Sequence, residues 1–276
     1  MAKSESSSRI VTSVVAVISA AALAVSLIAA GFAACAVPDV STKALASVYS
    51  TDGASPFTKD ELVAAAVQTK HYTIDDNDKA AVYATIAAIN AQEALAGTAG
   101  KGAPKIDATA NYAAGELSGE QVVALETAFD AASERYVLTP DAVSHLDDVF
   151  GVVQAAKWWL LAAVVAACVG CTATAFRGGK RLLGRVLAGA GVSVLAVFAL
   201  LAAWVAIDFD GFFAQFHSLF FAAGTWTFSW DSLLICMYPP EFWVGMGAIW
   251  LVVTVACCVV CITIGRLLRK GSTQKR

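Results

Sequence analysis

The chain has 276 residues, of which 58% are hydrophobic and 15% are charged, and its formal net charge is −3. The mean hydropathy of +0.66 is too high for a soluble domain of this length, so the composition excludes an ordinary soluble enzyme. The net charge averages over strongly acidic and strongly basic segments, and it therefore describes neither.

Four apolar segments are long enough to cross a bilayer, since about 20 apolar residues span the roughly 30 Å hydrocarbon core. They are residues 10–32, 157–176, 186–207 and 242–264. The first is longer than the apolar core of a signal peptide, about 7–15 residues, which favours an uncleaved anchor helix over a cleaved leader. The sequence therefore predicts an all-α, polytopic membrane protein with four transmembrane helices and an external helical domain.

The distribution of charge predicts how the chain is oriented, because Lys and Arg near the ends of transmembrane helices are retained in the cytoplasm. Basic residues follow the second and fourth apolar segments, at 177–185 and 266–276. Residues 38–152 carry 17 acidic and 7 basic side chains, and residues 208–242 carry four acids and no base. We expect a multi-pass protein of the cell membrane with both termini cytoplasmic and with residues 38–152 and 208–241 extracellular.

These boundaries divide the chain into five parts. They are the cytoplasmic N-terminus with transmembrane helix 1 (1–37), the external helical domain (38–152), transmembrane helices 2 and 3 with a basic cytoplasmic loop (153–207), an external aromatic interfacial loop (208–241), and transmembrane helix 4 with a basic cytoplasmic tail (242–276).

The cysteines do not form a pattern typical of a disulfide framework, because five of the seven lie inside the apolar segments, where cysteine behaves as a small hydrophobic residue. Cys168 and Cys171, like Cys258 and Cys261, have the spacing of zinc ligands. Small residues at helix contacts explain these pairs equally well. We therefore predict neither a metal site nor a cofactor, and the role of these four cysteines stays open.

Helix-start signals mark the external region. Ser118 with Gln121 forms a capping box. Thr139-Pro140-Asp141 places an N-cap, a first-turn proline and a first-turn acid in succession. The helix that begins there carries His145 and runs towards the second apolar segment. Asp148, three residues after His145, shares its helix face, whereas Asp147 points elsewhere.

An aromatic segment follows the third apolar segment. Of the 27 aromatic residues in the chain, 12 lie between positions 209 and 243. If residues 209–221 are helical, one stripe contains Phe209, Phe212, Phe213, Phe216 and Phe220. Such a helix lies in the headgroup layer with its phenyl face towards the acyl chains, and His217 lies at the border of the stripe. As one of only three histidines, His217 is the candidate for chemistry here.

Two pieces of the chain resemble the signatures of a known family. They are residues 144–149, just before a transmembrane helix, and residues 216–221, followed by Thr225-Trp226, Asp231, 233–235 and 239–242. The resemblance is to a family of small four-helix membrane proteins of Gram-positive bacteria that includes the lipoprotein intramolecular transacylases (Lit). The order of the elements is also similar along most of the chain.

The resemblance implies an acyltransferase. The reaction would move the sn-2 acyl chain of a diacylglyceryl lipoprotein to the α-amine of its N-terminal cysteine, at the outer leaflet. The family's histidines fall on His145 and His217, with acidic partners on Asp148 and Asp231. The expected substrate-binding residues are Trp226, Phe213, Phe216, Phe220 and Phe221. The implied partners are a diacylated lipoprotein and membrane lipid, with no nucleic acid, and the oligomeric state stays open.

Elementary chemistry is consistent with two histidines for this reaction. Ester aminolysis needs an amine without its extra proton and a stabilised oxyanion, and an imidazole can serve either need. The substrate supplies its own nucleophile, so alignment of its two ends provides much of the rate. Either histidine can be the base, and the other, or the indole N–H of Trp226, the donor. The alternative is a non-enzymatic membrane adaptor or sensor that binds a partner through the external domain. The enzyme hypothesis requires His145 and His217 to face one pocket.

Overall fold

A computed structural model of the chain describes residues 2–112 and 117–271, and the side chains of residues 2–5 are not included in that description. The last five residues of the predicted cytoplasmic tail lie outside the described residues. The described part of the chain is all-helical and contains no strand, which confirms the all-α part of the predicted fold class. The helices are α1 (Ala2–Ala36), α2 (Asp39–Tyr49), α3 (Lys59–Ile74), α4 (Lys79–Ala96), α5 (Gly119–Asp130), α6 (Pro140–Ile207), α7 (Phe209–Ser218), α8 (Leu233–Met237) and α9 (Pro240–Gly271).

Three helices are long and apolar enough to cross a membrane, namely α1 from Ser6, α6 and α9. Four separate helices were predicted, but α6 contains both the second and the third predicted spans. At 1.5 Å per residue, its 68 residues would be roughly 100 Å long, about three times the bilayer core. Gly179, between the two spans, has the non-helical backbone angles φ 69° and ψ −178°. The composition and these helices make the chain a multi-pass membrane protein.

One compact unit, the apolar unit, contains the described parts of residues 1–35, 155–214 and 248–276. Within it, the chain on both sides of Gly179 packs near α1. Ser19 Oγ lies 3.4 Å from Thr174 Oγ1. Trp250 donates a hydrogen bond to the Ile28 carbonyl and contacts the Phe198 ring edge to face. A straight helix would separate residues 174 and 198 by roughly 36 Å, whereas residues 19 and 28 of α1 are roughly 14 Å apart. The chain therefore changes direction at Gly179.

The second compact unit, the outer unit, contains the described parts of residues 36–154 together with residues 215–247. Its helix α5 begins at the predicted capping box. Ser118 and Gln121 form the expected capping box, and Thr58 forms a second one with Glu61. Asp78 caps α4 by accepting a hydrogen bond from a backbone N–H. Each cap satisfies backbone N–H groups that have no partner inside the helix.

The outer unit has one apolar core, to which residues 215–247 contribute side chains. Leu233, Met237 and Phe242 are almost completely buried in it beside Leu62 and Phe129. Backbone contacts fix the same segment, since Leu233 N–H donates to the Glu134 carbonyl at 2.7 Å and Thr51 N–H donates to the Cys236 carbonyl at 3.0 Å. His217 and the helix that carries His145 thus belong to the same packed body.

Candidate active site

The start of α6 positions His145. Thr139 Oγ1 accepts a hydrogen bond from Ala142 N–H at 3.3 Å, as expected of the predicted N-cap, and Pro140 is the first helical residue. Val143 and Leu146 point into the core of the outer unit. His145 lies on the same side and is only 8% exposed. Its ring is therefore held in a packed environment rather than in solvent.

The end of α7 positions His217. The predicted helix over residues 209–221 ends three residues early, at Ser218. The His217 carbonyl then accepts hydrogen bonds from Phe220 N–H at 3.0 Å and Phe221 N–H at 2.9 Å, which closes a tight turn. The loop that follows contains Gly224 at φ 88°, a backbone conformation that side chains disfavour. This turn directs Phe221 back towards the histidines.

The structure brings the two histidines together. Their ring centroids are 6.2 Å apart. Phe221 contacts both rings, at 4.9 Å from His145 and 5.7 Å from His217. Trp226 lies 4.8 Å from His217, and Phe228 lies 5.7 Å from His145. These five residues form an aromatic enclosure, which we call the histidine site.

Burial sets the protonation of His145, which precedes the apolar stretch of α6. Desolvation, and secondly the charge of His217, lower the pKa of His145 to about 4, while Asp148 acts in the opposite direction. The ring is therefore neutral at neutral pH. The charge of His217 thus disfavours protonation of both rings at once.

One nitrogen of His145 is unsatisfied. Nδ1 is buried and has no hydrogen-bond partner among the described residues. A buried polar atom without a partner costs about 1–3 kcal/mol. Native proteins retain such atoms mainly where a ligand, a water molecule or a reaction uses them. The Nδ1 atom of His145 is therefore a candidate for hydrogen bonding to a ligand or a water molecule.

The two predicted acidic partners have different surroundings. Asp148 is exposed and acts on His145 through its charge, with no hydrogen bond between them in the described part of the chain. Asp231 Oδ2 instead lies 3.5 Å from Arg135 Nε. Arg135 also donates to the Ala54 carbonyl at 2.9 Å. The Asp231 carboxylate is thus engaged in an ion pair that joins two loops.

The predicted substrate-binding phenylalanines also divide into groups. Phe216 lies 5.8 Å from His217 and 5.3 Å from Phe220, and these two phenylalanine rings are 43% and 48% exposed. They continue the aromatic surface outward from the histidine site. Phe213 belongs to the apolar unit, where its ring packs 5.6 Å from Phe209.

Two residues near the site were missed by the sequence analysis. Phe228 could have been predicted as a site residue, because it follows Trp226 by two positions in the same aromatic segment. Arg135 could not have been predicted, since nothing in the sequence links it to an acid 96 positions away.

The cysteines are free thiols. No group of three or more metal-ligating side chains occurs within residues 2–112 and 117–271.

Comparison with known proteins identifies the family. The model of the family "Lipoprotein intramolecular transacylase Lit" matches residues 107–243, which include all five residues of the histidine site. The solved structure of the membrane integral lipoprotein intramolecular transacylase Lit from Bacillus cereus is 14% identical, with a TM-score of 0.63, and the match covers 96% of this chain and 98% of that one.

Two variants of the Bacillus cereus protein, each with one histidine replaced, share the same fold. The alanine variant has a TM-score of 0.61 at 15% identity, with coverage of 96% of each chain, and the arginine variant has a TM-score of 0.61 at 15% identity, with coverage of 99% of each chain. No curated protein matches the chain. The resemblance noted in the sequence is thus confirmed by the family model, and the chain belongs to the lipoprotein intramolecular transacylase (Lit) family.

Proposed function

We propose that this protein is a membrane-bound lipoprotein intramolecular transacylase whose chemistry takes place between His145 and His217. Its reaction moves the sn-2 acyl chain of a diacylglyceryl lipoprotein to the α-amine of the N-terminal cysteine. The observation that carries the proposal is the 6.2 Å separation of the two imidazole rings inside an aromatic enclosure. Both rings come from the segment that the family model matches.

The reaction forms an N–C bond at the amine and breaks the ester C–O bond at the glycerol. A proton must leave the attacking nitrogen, and one must reach the departing glycerol oxygen. A free α-amine has a pKa of about 7.7–8.0, so a substantial fraction is already deprotonated near neutral pH. In the proposed mechanism, a neutral imidazole accepts the proton from the amine and a protonated imidazole returns one to the glycerol oxygen, which requires no acyl-enzyme intermediate.

The histidine-site residues have distinct proposed roles. Neutral His145 accepts a hydrogen bond or a proton, with its orphan Nδ1 or the opposite nitrogen directed at the substrate. Trp226 packs on His217 and provides an indole N–H for the developing oxyanion. The half-exposed rings of Phe216 and Phe220 provide an apolar surface for the acyl chain.

The acidic residues act less directly. Asp148 is a positioning and electrostatic residue, since its charge favours the protonated form of His145. Asp231 is a positioning residue that holds its loop through Arg135. Neither carboxylate is assigned a proton-transfer step.

The membrane topology that suits this chemistry has four crossings. The reversal at Gly179 divides α6 into two passes, and the basic residues 177–185 lie at that turn. Positive residues favour the cytoplasmic side, so both termini are cytoplasmic and the acidic outer unit is extracellular. The histidine site then lies at the outer leaflet, where diacylated lipoproteins are exposed.

The direct test is to co-express the protein with a diacylated lipoprotein and to determine the acyl pattern of the lipoprotein's N-terminal peptide by mass spectrometry. Intramolecular transfer leaves the intact mass unchanged, so fragment ions must show one acyl chain on the amine and one on the glycerol. His145→Ala and His217→Ala should abolish the transfer.

His71→Ala is the matched control, because His71 is the third histidine and lies on α3, outside the histidine site. Its Nε2 atom lies 2.8 Å from Asp39 Oδ1. It should leave the transfer intact. Unchanged acylation with the wild type contradicts the proposed function and favours the adaptor hypothesis. Equal transfer by the wild type and both site variants contradicts the site.

A further inference from the structure

A groove of about 530 Å³ lies in the outer unit, apart from the enclosure of aromatic rings. One wall is the end of α2 and the chain that follows it, including Tyr49 and Asp52. The opposite wall contains Trp230 and the start of α9, including Glu241. The groove is open to solvent along its length, and the Trp230 side chain is 73% exposed within it. Its volume lies within the range of ligand-binding pockets, about 300–1,000 Å³.

Contacts within the outer unit hold the two walls together. Ser50 Oγ donates to the Met237 carbonyl at 3.0 Å, and Thr51 N–H donates to the Cys236 carbonyl. Arg135 bonds the Ala54 carbonyl on one wall and pairs with Asp231, the neighbour of Trp230, on the other. Hydrogen bonds and an ion pair within the outer unit therefore fix the segments that line the groove.

The groove begins next to the histidine site. Phe228 contacts His145, and Trp230 follows Phe228 by two residues. Two residues of chain span at most about 7 Å. A substrate held at the histidines by its cysteine amine and ester must direct its polypeptide onto a neighbouring surface. The groove provides such a surface within one or two residue lengths.

The charges around the groove favour a cationic ligand. Glu241 is exposed in the first turn of α9 and takes part in no ion pair among the described residues. Asp52 lies 4.0 Å from Lys59, which partly offsets its charge. Arg135 is engaged by Asp231. The remaining negative charge and the exposed indole face suit a Lys or Arg side chain.

We propose that this groove binds the polypeptide segment that follows the lipidated cysteine of the substrate and that it favours a basic segment over an acidic one. The inference rests on the proposed function and adds a specificity site to it. The histidine site carries out the transfer, and the groove sets the affinity for the protein part of the substrate.

The experiment compares synthetic diacylated substrates with the full-length protein in nanodiscs. One substrate is the diacylated cysteine amide, which has no following residue, and two others carry four further residues that include either Lys or Glu. Trp230→Ala should raise KM for the Lys peptide roughly fivefold or more, as expected for loss of a binding tryptophan. Glu241→Gln should reduce the preference for Lys over Glu by about two- to fivefold. Neither variant should change kcat/KM for the cysteine amide.

Matched controls separate the groove from general effects. Trp159→Ala removes another exposed tryptophan, and Glu120→Gln removes another first-turn glutamate; both should behave as the wild type. Equal losses on all three substrates would assign Trp230 to membrane anchoring and overturn the groove. Unchanged kinetics on the peptides would also overturn it. Absence of transfer by the wild type on every substrate would contradict the proposed function itself, and with it the proposed role of the groove.

Discussion

His145 is a buried imidazole whose environment opposes its protonation. Its pKa is lowered to about 4, mainly by desolvation and secondly by His217, whereas an unfolded chain has a histidine pKa near 6.5. Between these values the unfolded state binds a proton that the folded state does not. Acidification between these pH values must therefore lower the free energy of unfolding through the protonation of His145 in the unfolded state.

The predicted pH dependence has a definite sign. Below pH 6.5 the folded state should lose about 1.4 kcal/mol per pH unit from this histidine, and the loss should level off below pH 4. His145→Phe has no proton to bind, so its thermal midpoint should fall less between pH 7 and pH 5. Differential scanning fluorimetry of the two proteins in the same detergent measures this. Parallel curves would contradict the burial of His145.

Trp226 lies against His217, and its two proposed contributions can be separated by substitution. Trp226→Phe keeps an aromatic ring on the imidazole but removes the indole N–H. If that N–H binds the oxyanion, kcat should fall about a hundredfold with little change in KM. Trp159→Phe is the control, since Trp159 is an exposed tryptophan of α6 outside both the histidine site and the groove, and it should leave kcat unchanged. A wild-type kcat for Trp226→Phe would restrict Trp226 to packing.

At the scale of single residues, the sequence indicated the two histidines whose rings lie 6.2 Å apart in the structure. His145 and His217 stood out because histidine is rare here and because both lie in recognisable motifs. The helix face of Asp148 followed from spacing alone. The ion pair of Asp231 with Arg135 did not, because it depends on how two distant loops pack in the outer unit.

Among the elements, the loop after α7 contributes three of the five residues of the histidine site. It places Phe221, Trp226 and Phe228 around the histidines, and it turns at Gly224 with φ 88°. A side chain at this angle costs roughly 1–2 kcal/mol. Open space surrounds the position, so the strain would come from the backbone alone. The loop is thus sensitive to a substitution that creates no steric clash.

Gly224→Ala should therefore lower transacylation by displacing the aromatic enclosure. The control is Gly247→Ala, since Gly247 is helical, lies in the same unit and also faces open space. Alanine there should be neutral or slightly stabilising. Activity and thermal midpoint measured for both variants decide the question, and equal activity would argue against a required loop conformation.

Element boundaries show which local signals are reliable. The caps at Ser118 and Thr139 were predicted because capping depends on neighbouring residues. The end of α7 at Ser218 was not predicted, since the aromatic pattern continues past it. The sequence predicted the second and third spans as separate helices. In the structure both belong to α6, because only the backbone of Gly179 interrupts it.

The chain combines the apolar unit with the outer unit, and the outer unit contains the histidine site. The sequence predicted the helical class and the apolar segments, which follow from composition. It did not predict that residues 215–247 share a core with residues 36–154. That association depends on the burial of Leu233 and Met237 against distant helices, and the local pattern of the segment contains no information about those partners.

The proposed topology predicts which positions a membrane-impermeant thiol reagent can label. Asp107→Cys, exposed on the outer unit, should be labelled in intact cells. Lys180→Cys, next to the turn at Gly179, should be labelled only after the membrane is permeabilised. The native cysteines lie mostly in apolar segments and should contribute little background. Labelling of position 180 in intact cells would contradict four crossings with cytoplasmic termini.

The central claim is that one substrate molecule supplies both the acyl chain and the amine at the histidine site. A crossover measurement tests it with the purified protein in nanodiscs and two diacylated lipopeptides of different sequence, only one of which carries an isotope-labelled sn-2 chain. Fragmentation should find the label on the amine of the peptide that began with it, and never on the other. Label that stays on the glycerol, or that reaches the second peptide, would contradict the account.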